Sequence, residues 1–184
     1  LELTDIAKRA RGAHQGVKPG LLQSENAADL VERAAKQLLL GEVRVALESI
    51  ESALEIDAKK GPAWFLKARL LAAGEGNTKA ALKSIRRASA LGEYTVMLES
   101  EILENDGRTD AAIQVLEEHL EKTPSDPEVR GKLSLLWLRN GSNDSSCRVL
   151  DEAPDESWDS APLHIMRGRL HLVDADEHRD NTAK

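Results

Sequence analysis

A glycine-centred pattern that recurs about every 34 residues constrains this chain more than any other feature. Each glycine is followed at fixed offsets by a small residue, a larger apolar residue and another small position. The four copies are Gly41, Ala46, Ile50 and Ala53; Gly76, Ala81, Ile85 and Ala88; Gly107, Ala112, Leu116 and His119; and Gly141, Ser146, Leu150 and Ala153. Successive glycines are 35 residues apart (41 to 76), then 31 (76 to 107), then 34 (107 to 141). Such a period indicates a stacked array of similar units.

Each unit has the pattern of a helical hairpin. One helix ends near Asp106, Gly107 turns the chain, and a second amphipathic helix runs on to Pro124. Neither helix can bury its apolar face alone, so each hairpin needs a neighbour. We therefore predict an all-α solenoid of stacked hairpins, which the aromatic content of only 3% and the many Ala, Leu, Glu and Lys residues also favour.

The phase of the pattern resembles the tetratricopeptide repeat. In that family the first helix carries a large residue, a small residue four positions later and a large residue three beyond it. The matching residues are Trp64, Ala68 and Leu71; Ser100 and Leu103; Ser134 and Trp137; and Pro124, which matches the family's exit proline. The resemblance covers about residues 27 to 173, and it implies a right-handed superhelix whose concave wall is made by the first helices.

We expect three segments along the chain. Residues 1–26 are predicted to form an N-terminal cap or linker with a short helix, residues 27–176 the array, and residues 177–184 a polar tail. Within the array the repeats are predicted at about 27–60, 61–92, 93–126 and 127–160, followed by a half repeat at 161–176.

The two departures from a step of 34 are expected to fall in loops, where changes of length are tolerated. Trp64 and Ala68 keep the register of the first repeat, so the extra residue is placed in the turn 73–76. The deficit of three residues (31 against 34) is placed near Gly92, as a shortened link into the following helix.

The resemblance implies a protein–protein interaction scaffold that binds a peptide or protein segment of unknown identity in its concave groove. In this family, certain positions of the first helices tend to face that groove. The corresponding residues here are Phe65, Arg69, Tyr94, Met97, Glu101, Leu135, Leu138, Arg139, Ile165 and Arg169. The arginines are expected to pair with ligand carboxylates, and the apolar residues to receive ligand side chains.

Two alternative functions stay open. In the first, the chain is a self-association module and a homo-oligomer, with an exposed apolar end around Ile165, Leu170 and Leu172 meeting another copy. In the second, the chain is a regulatory domain of a larger enzyme or nucleic-acid-processing protein. The sequence begins without Met, which leads us to expect a domain of a longer chain.

Charge and hydropathy disfavour nucleic acid and membranes as partners. A net charge of −7 gives no overall basic surface, and the basic cluster from Lys8 to Lys18 is expected to be solvated. No apolar run approaches the ~18 residues of a membrane span, and no signal-peptide core is present. Together with the single cysteine, Cys147, these features favour a cytoplasmic protein.

The sequence predicts no enzyme, no cofactor and no metal site. It contains no nucleophile elbow, zinc-protease helix, phosphate-binding loop or dinucleotide fingerprint. His164 and His171 would share one helical stripe, but seven residues at ~1.5 Å each separate their backbones by about 10 Å, which is too far for one metal ion.

Overall fold

Nine α-helices, and no strand, make up the residues that the computed structural model describes, 26–73 and 77–182, with side chains described as far as residue 172. The helices are α1 (Ala27–Leu39), α2 (Val43–Ile56), α3 (Gly61–Ala72), α4 (Thr78–Ala90), α5 (Val96–Asn105), α6 (Thr109–Lys122), α7 (Pro127–Arg139), α8 (Asn143–Asp151) and α9 (Ala161–Thr182). A short 3-10 helix, Asp155–Asp159, precedes α9. The predicted all-α hairpin solenoid is confirmed.

Three sequence predictions lie outside the described residues. They are the short N-terminal helix, the basic cluster from Lys8 to Lys18, and the extra residue of the turn at 74–76. No helix in the described part of the chain is long and apolar enough to cross a membrane.

Consecutive helices pair into four hairpins, α1 with α2, α3 with α4, α5 with α6, and α7 with α8. Each hairpin packs on the next, and α9 packs on both α7 and α8 as a further first helix would. This last helix runs to Thr182, beyond the boundary at 176 expected for a half repeat.

Close packing within each hairpin depends on small residues that have no exposed surface. One lies on each helix of the pair, and all are 0% exposed: Ala34 and Ala46, Ala68 and Ala81, Ser100 and Ala112, and Ser134 and Ser146. A larger side chain at these crossings would hold the backbones apart. The small positions predicted on the second helices therefore have the packing role that the pattern indicated.

In the fourth hairpin both small residues are serines, and their hydroxyl groups bond each other. The Ser146 hydroxyl donates to the Ser134 carbonyl at 2.8 Å, and the two hydroxyl oxygens are 2.8 Å apart. Buried polar groups are stable when they are hydrogen-bonded. The pair thus accommodates the serine found where the family pattern has alanine.

Larger apolar side chains form a core that passes from hairpin to hairpin. One cluster joins α1, α2 and α3, a second extends from α3 to α8, and a third joins α7, α8 and α9. Neighbouring residues of one helix serve different clusters, as Leu70 and Ala68 do in α3 and Leu150 and Val149 do in α8. The core is therefore continuous along the stack.

Three of the four predicted turn glycines adopt the left-handed backbone conformation, and the fourth, Gly76, lies outside the described residues. Gly41, Gly107 and Gly141 have φ values of +78°, +75° and +75°, and Gly92 has +90°. A Cβ added at any of them would meet no atom within 4 Å, so the backbone conformation alone selects glycine.

The prediction of a shortened link at Gly92 is wrong, because the three missing residues belong to α5. The link 91–95 between α4 and α5 has five residues, whereas the link 57–60 before α3 has four. Helix α3 starts three residues before Trp64, but α5 starts at the equivalent residue, Val96. Residues 93–95, which correspond to the first turn of α3, follow the Gly92 turn and are not helical.

Replacing a turn glycine is expected to destabilise the array. Gly107→Ala should lower the free energy of unfolding by about 1–2 kcal/mol, because a residue with a Cβ is strained at positive φ. Urea denaturation followed by circular dichroism measures the change. Gly168→Ala in α9 is the control, since an added Cβ there meets nothing within 4 Å on a helical backbone. It should leave stability unchanged or raise it by up to about 1 kcal/mol, and equal losses from both variants would contradict this explanation.

Candidate functional site on the first helices

Two cavities open side by side on the face formed by the first helices. The cavity between α3 and α5 has a volume of about 410 Å³, and its lining includes Phe65, Arg69, Met97 and Glu101. The cavity between α5, α7 and α9 has a volume of about 300 Å³, and its lining includes Met97, Leu135, Ile165 and Arg169. Because Met97 lines both, we treat them as one feature and call it the first-helix groove. Seven of the ten predicted groove residues lie here.

The other three predicted groove residues have partners within the protein. Leu138 packs against the apolar cluster that joins α8 and α9. Arg139 donates a hydrogen bond to Glu104 at 2.6 Å. Tyr94 borders a different cavity, between α4, α5 and α6, and its hydroxyl donates to Asp126 at 2.9 Å. None of the three lines the first-helix groove.

The floor of the groove is continuous with the core. Phe65 and Met97 are half-buried and pack against the cluster that extends from α3 to α8. Leu135 is half-buried against the cluster of α8 and α9. Ile165, by contrast, is 56% exposed. The groove therefore presents apolar surface that is held in place from below.

A glycine lies in the lining of the second cavity. Gly131 in α7 lies 34 residues from both Met97 and Ile165, and so occupies the same place in its repeat. A Cβ added there would lie 3.1 Å from the Cβ of Pro162. Pro162 thus occupies the space beside Gly131, and the glycine adds no side chain to the lining of the second cavity.

Beside the groove, a carboxylate of α5 is held by two cations of α7. Glu104 accepts hydrogen bonds from Lys132 Nζ at 2.5 Å and from Arg139 Nη1 at 2.6 Å. Burial alone would raise the pKa of Glu104, but the two cations outweigh burial and lower it. Glu104 thereby joins the neighbouring first helices α5 and α7.

Three other charged residues of the groove have no such partner. Within the described residues, no ion pair or hydrogen bond engages the side chain of Arg69, Glu101 or Arg169. Arg69 and Glu101 line the same cavity without pairing with each other. These side chains are exposed and available to a ligand.

A second polar cluster joins the third and fourth hairpins. Asp126 caps α7 by accepting from the backbone N–H groups of Glu128 and Val129, each at 3.2 Å. Its other carboxylate oxygen lies 2.9 Å from the Tyr94 hydroxyl and 2.9 Å from His119 Nε2. The two rings meet edge to face, with centroids 5.7 Å apart. This cluster fastens the start of α7 to α6 and to the residue segment before α5.

The cluster shifts the protonation of two of its members. Burial would raise the pKa of Asp126, but hydrogen bonds from Val129, Tyr94 and His119 outweigh it and lower that pKa. Burial, and then the bond to Asp126, raises the pKa of Tyr94. His119 stands where the pattern has alanine, and the sequence signal for its partner was Asp126 directly before Pro127, which is typical of an N-cap.

A buried arginine that the sequence analysis did not single out joins the ends of α6 and α8. Arg130 is 5% exposed and donates to the Val149 carbonyl at 2.7 Å and to the Pro124 carbonyl at 2.8 Å. Burial lowers the pKa of Arg130, and Glu152 opposes that effect. Val96 holds the equivalent position 34 residues earlier, where an apolar residue is usual, and the periodicity gives no signal for a cation.

The chain offers no cluster of metal ligands in its described part, where no group of three or more His, Cys, Asp or Glu side chains could hold a metal ion. The first-helix groove instead combines an apolar floor with unpaired charges of both signs. Surfaces of this composition bind side chains of other molecules.

No protein-family model and no curated protein matches this sequence. Solved structures nevertheless share its fold. TTC0263, a tetratricopeptide protein of Thermus thermophilus, is 20% identical with a TM-score of 0.64, over 82% of this chain and 84% of that chain. A tetratricopeptide repeat protein from Parabacteroides merdae is 18% identical with a TM-score of 0.62, over 85% of this chain and 62% of that chain.

YrrB, a tetratricopeptide protein with an unusual peptide-binding site, is 17% identical with a TM-score of 0.56, over 83% of this chain and 80% of that chain. At these identities the likeness concerns the fold. The chain has the tetratricopeptide fold that its period and phase predicted.

Removing the carboxylate of Asp126 is expected to loosen the junction before α7. Asp126→Ala should lower the free energy of unfolding at pH 7 by about 2 kcal/mol, because it removes a helix cap and two charge-assisted hydrogen bonds. The folded pKa lies below the unfolded value of about 3.9, so this stabilisation is present above that pH and is lost as pH falls through the folded value.

Urea denaturation of both proteins at pH 7 and pH ~3 measures the difference, which should shrink at the lower pH. Asp110→Ala, an exposed first-turn residue of α6, is the control and should cost no more than about 0.5 kcal/mol. A loss from Asp126→Ala that is the same at both pH values would contradict the role given to its charge.

Proposed function

We propose that this chain is a protein–protein interaction scaffold whose first-helix groove binds a peptide or protein segment. The observation that carries the proposal is the pair of adjoining cavities that share Met97, with an apolar floor and unpaired charges at their rim. Pockets that recognise ligands combine mostly apolar walls with a few placed polar groups. Because the groove is formed by packed helices, a ligand would find it already in its binding shape.

The exposed apolar surface at the groove supports this proposal. Ile165 is 56% exposed although it lies beside half-buried Met97 and Leu135 in the lining of one cavity. Covering a side chain of this size contributes on the order of 1–2 kcal/mol to binding. An exposed apolar group that adjoins a cavity is a common feature of interaction sites.

The likeness to YrrB supports a peptide as the bound segment, since that protein has the same fold and an unusual peptide-binding site. As a regulatory domain of a larger enzyme or nucleic-acid-processing protein, the chain would use the same groove to recruit a segment of its partner. The test of the groove is the same in either setting.

Self-association is a second candidate function, and α9 favours it. Ile165 and Leu172 on this helix are 56% and 69% exposed. Leu172 does not line either cavity of the groove. A substitution at Leu172 therefore separates association through α9 from ligand binding in the groove.

A charge placed on the apolar floor of the groove is expected to weaken peptide binding. Selection of a displayed random peptide library on the immobilised chain should enrich ligands, whose affinities are then measured by fluorescence anisotropy. Ile165→Glu should weaken these ligands at least tenfold, because it buries a carboxylate against apolar ligand side chains. Circular dichroism checks that the variant is folded.

The matched control is Val45→Glu, which places the same charge on an exposed apolar residue of α2 (43% exposed) away from the groove, and it should leave affinity unchanged. If no peptide is enriched, or if Val45→Glu weakens binding as much as Ile165→Glu, the groove is not the binding surface. A wild-type dimer in analytical ultracentrifugation that Leu172→Glu dissociates would support self-association instead.

A further inference from the structure

We infer that the segment bound in the first-helix groove is extended and carries an acidic, a basic and a second acidic side chain in that order, facing Arg69, Glu101 and Arg169. The inference rests on the proposed function and adds the chemistry of the ligand. It has three grounds: the register of the first helices, the fact that some charges near the groove are already paired within the protein, and the shape of the two cavities.

The groove residues form two parallel rows across the first helices. In three of these helices an apolar groove residue is followed four positions later by a charged one. These pairs are Phe65 and Arg69, Met97 and Glu101, and Ile165 and Arg169. Residues four apart lie on one face of a helix, about one turn from each other. Because the helices stack, the apolar residues form one row and the charged residues another.

The charged row has the order positive, negative, apolar, positive. Helix α3 contributes Arg69, α5 contributes Glu101, α7 contributes Leu135 and α9 contributes Arg169. These three charges have no partner among the described residues, whereas Lys132 and Arg139 are already paired with Glu104. A ligand therefore gains most by complementing the unpaired row, and Arg139 is excluded from the expected ligand contacts.

The two remaining charges of the second cavity do not change this order. Lys132 is engaged by Glu104. Glu128 lies in the first turn of α7, three residues before Gly131, whereas Arg169 lies four residues after Ile165. Glu128 and Arg169 are therefore on opposite sides of the apolar row, and only Arg169 belongs to the charged row.

The length of the row fits an extended chain. The axes of packed helices are about 8–10 Å apart, so the three steps between first helices from α3 to α9 span at least about 25–30 Å. About eight or nine extended residues cover that distance at ~3.3 Å each. A helix would need about 18 residues and, at about 10–12 Å across, would not follow two cavities divided by the single side chain of Met97.

The second cavity gives the ligand one more feature. Gly131 adds no side chain to it, and Met97, Leu135, Pro162 and Ile165 give it a largely apolar lining. A large apolar ligand residue fits there, between the basic residue facing Glu101 and the acidic residue facing Arg169. The order of charges is the same in both chain directions, so the position of this apolar residue reports the direction of binding.

A display selection with charge reversals tests the inference. A library of random nine-residue peptides is selected on the wild-type chain and on Arg69→Glu, Glu101→Lys and Arg169→Glu. Wild type should enrich acidic residues towards both ends and a basic residue between them. Arg69→Glu and Arg169→Glu should each change the preference at one end from acidic to basic, and Glu101→Lys should change only the central preference from basic to acidic.

Affinities complete the test. Arg69→Glu should weaken a wild-type-selected peptide at least tenfold, and a peptide with Lys at the facing position should recover that loss. The controls are Arg87→Glu, on a second helix, and Arg139→Gln, whose cation is held by Glu104, and both should keep the wild-type preferences.

Each outcome decides between the two proposals. Enriched peptides without a charge order, or an order that the reversals do not change, would overturn this inference and leave the proposed function standing. Enriched peptides with apolar residues at helical spacing would overturn the extended conformation and with it this inference. No enrichment on the wild-type chain would overturn both.

Discussion

The rest of the array depends on how closely the two helices of each hairpin approach. A residue no larger than alanine or serine on each helix, such as Ala68 facing Ala81, makes that approach possible, and its 0% exposure shows how tight the crossing is. Because the same crossing recurs, every first helix follows the previous one in the same way, and one face of each remains uncovered. That face is the groove. The approach of Pro162 to Gly131 extends the same constraint to contacts between hairpins.

Most polar groups buried in this apolar framework have partners that the framework supplies, although among the described residues Arg130 Nε and Trp137 Nε1 are buried without a hydrogen-bond partner. The hydroxyl groups of Ser134 and Ser146 hydrogen-bond to each other. Arg130 donates to the Val149 and Pro124 carbonyls, and Asp126 accepts hydrogen bonds from four donors. Buried polar groups left without partners cost about 1–3 kcal/mol each. The hairpins from α5 to α8 are therefore joined by hydrogen bonds as well as by apolar packing. Because hydrogen bonds are directional, they define the relative orientation of these hairpins more narrowly than apolar packing alone would.

Periodicity predicts what depends on local register and misses what depends on distant partners. The hairpins and the turn glycines follow from spacing, whereas the expected groove location of residues such as Phe65 and Ile165 follows from the resemblance to the tetratricopeptide family. Tyr94 and Arg139 were assigned by the same rule, but Asp126 lies 32 residues from the first and Glu104 35 from the second. No local pattern indicates such partners. The three-residue deficit was assigned to the link at Gly92 and not to the first turn of α5 for a related reason. A count of residues gives the size of a deficit but does not tell which element is shortened.

The nearest-neighbour packing of the hairpins has a consequence for how the molecule responds to its ligand. In such arrays the stability is the sum of each unit and its adjoining interfaces, so terminal units can open while the middle stays folded. A segment seated from α3 to α9 would contact helices that the chain alone connects only through their neighbours. The bound segment would link these helices along the stack, so neither terminal unit could unfold without dissociation of the ligand. Occupancy of the groove would thereby turn a frayed, stepwise melting into a single cooperative one.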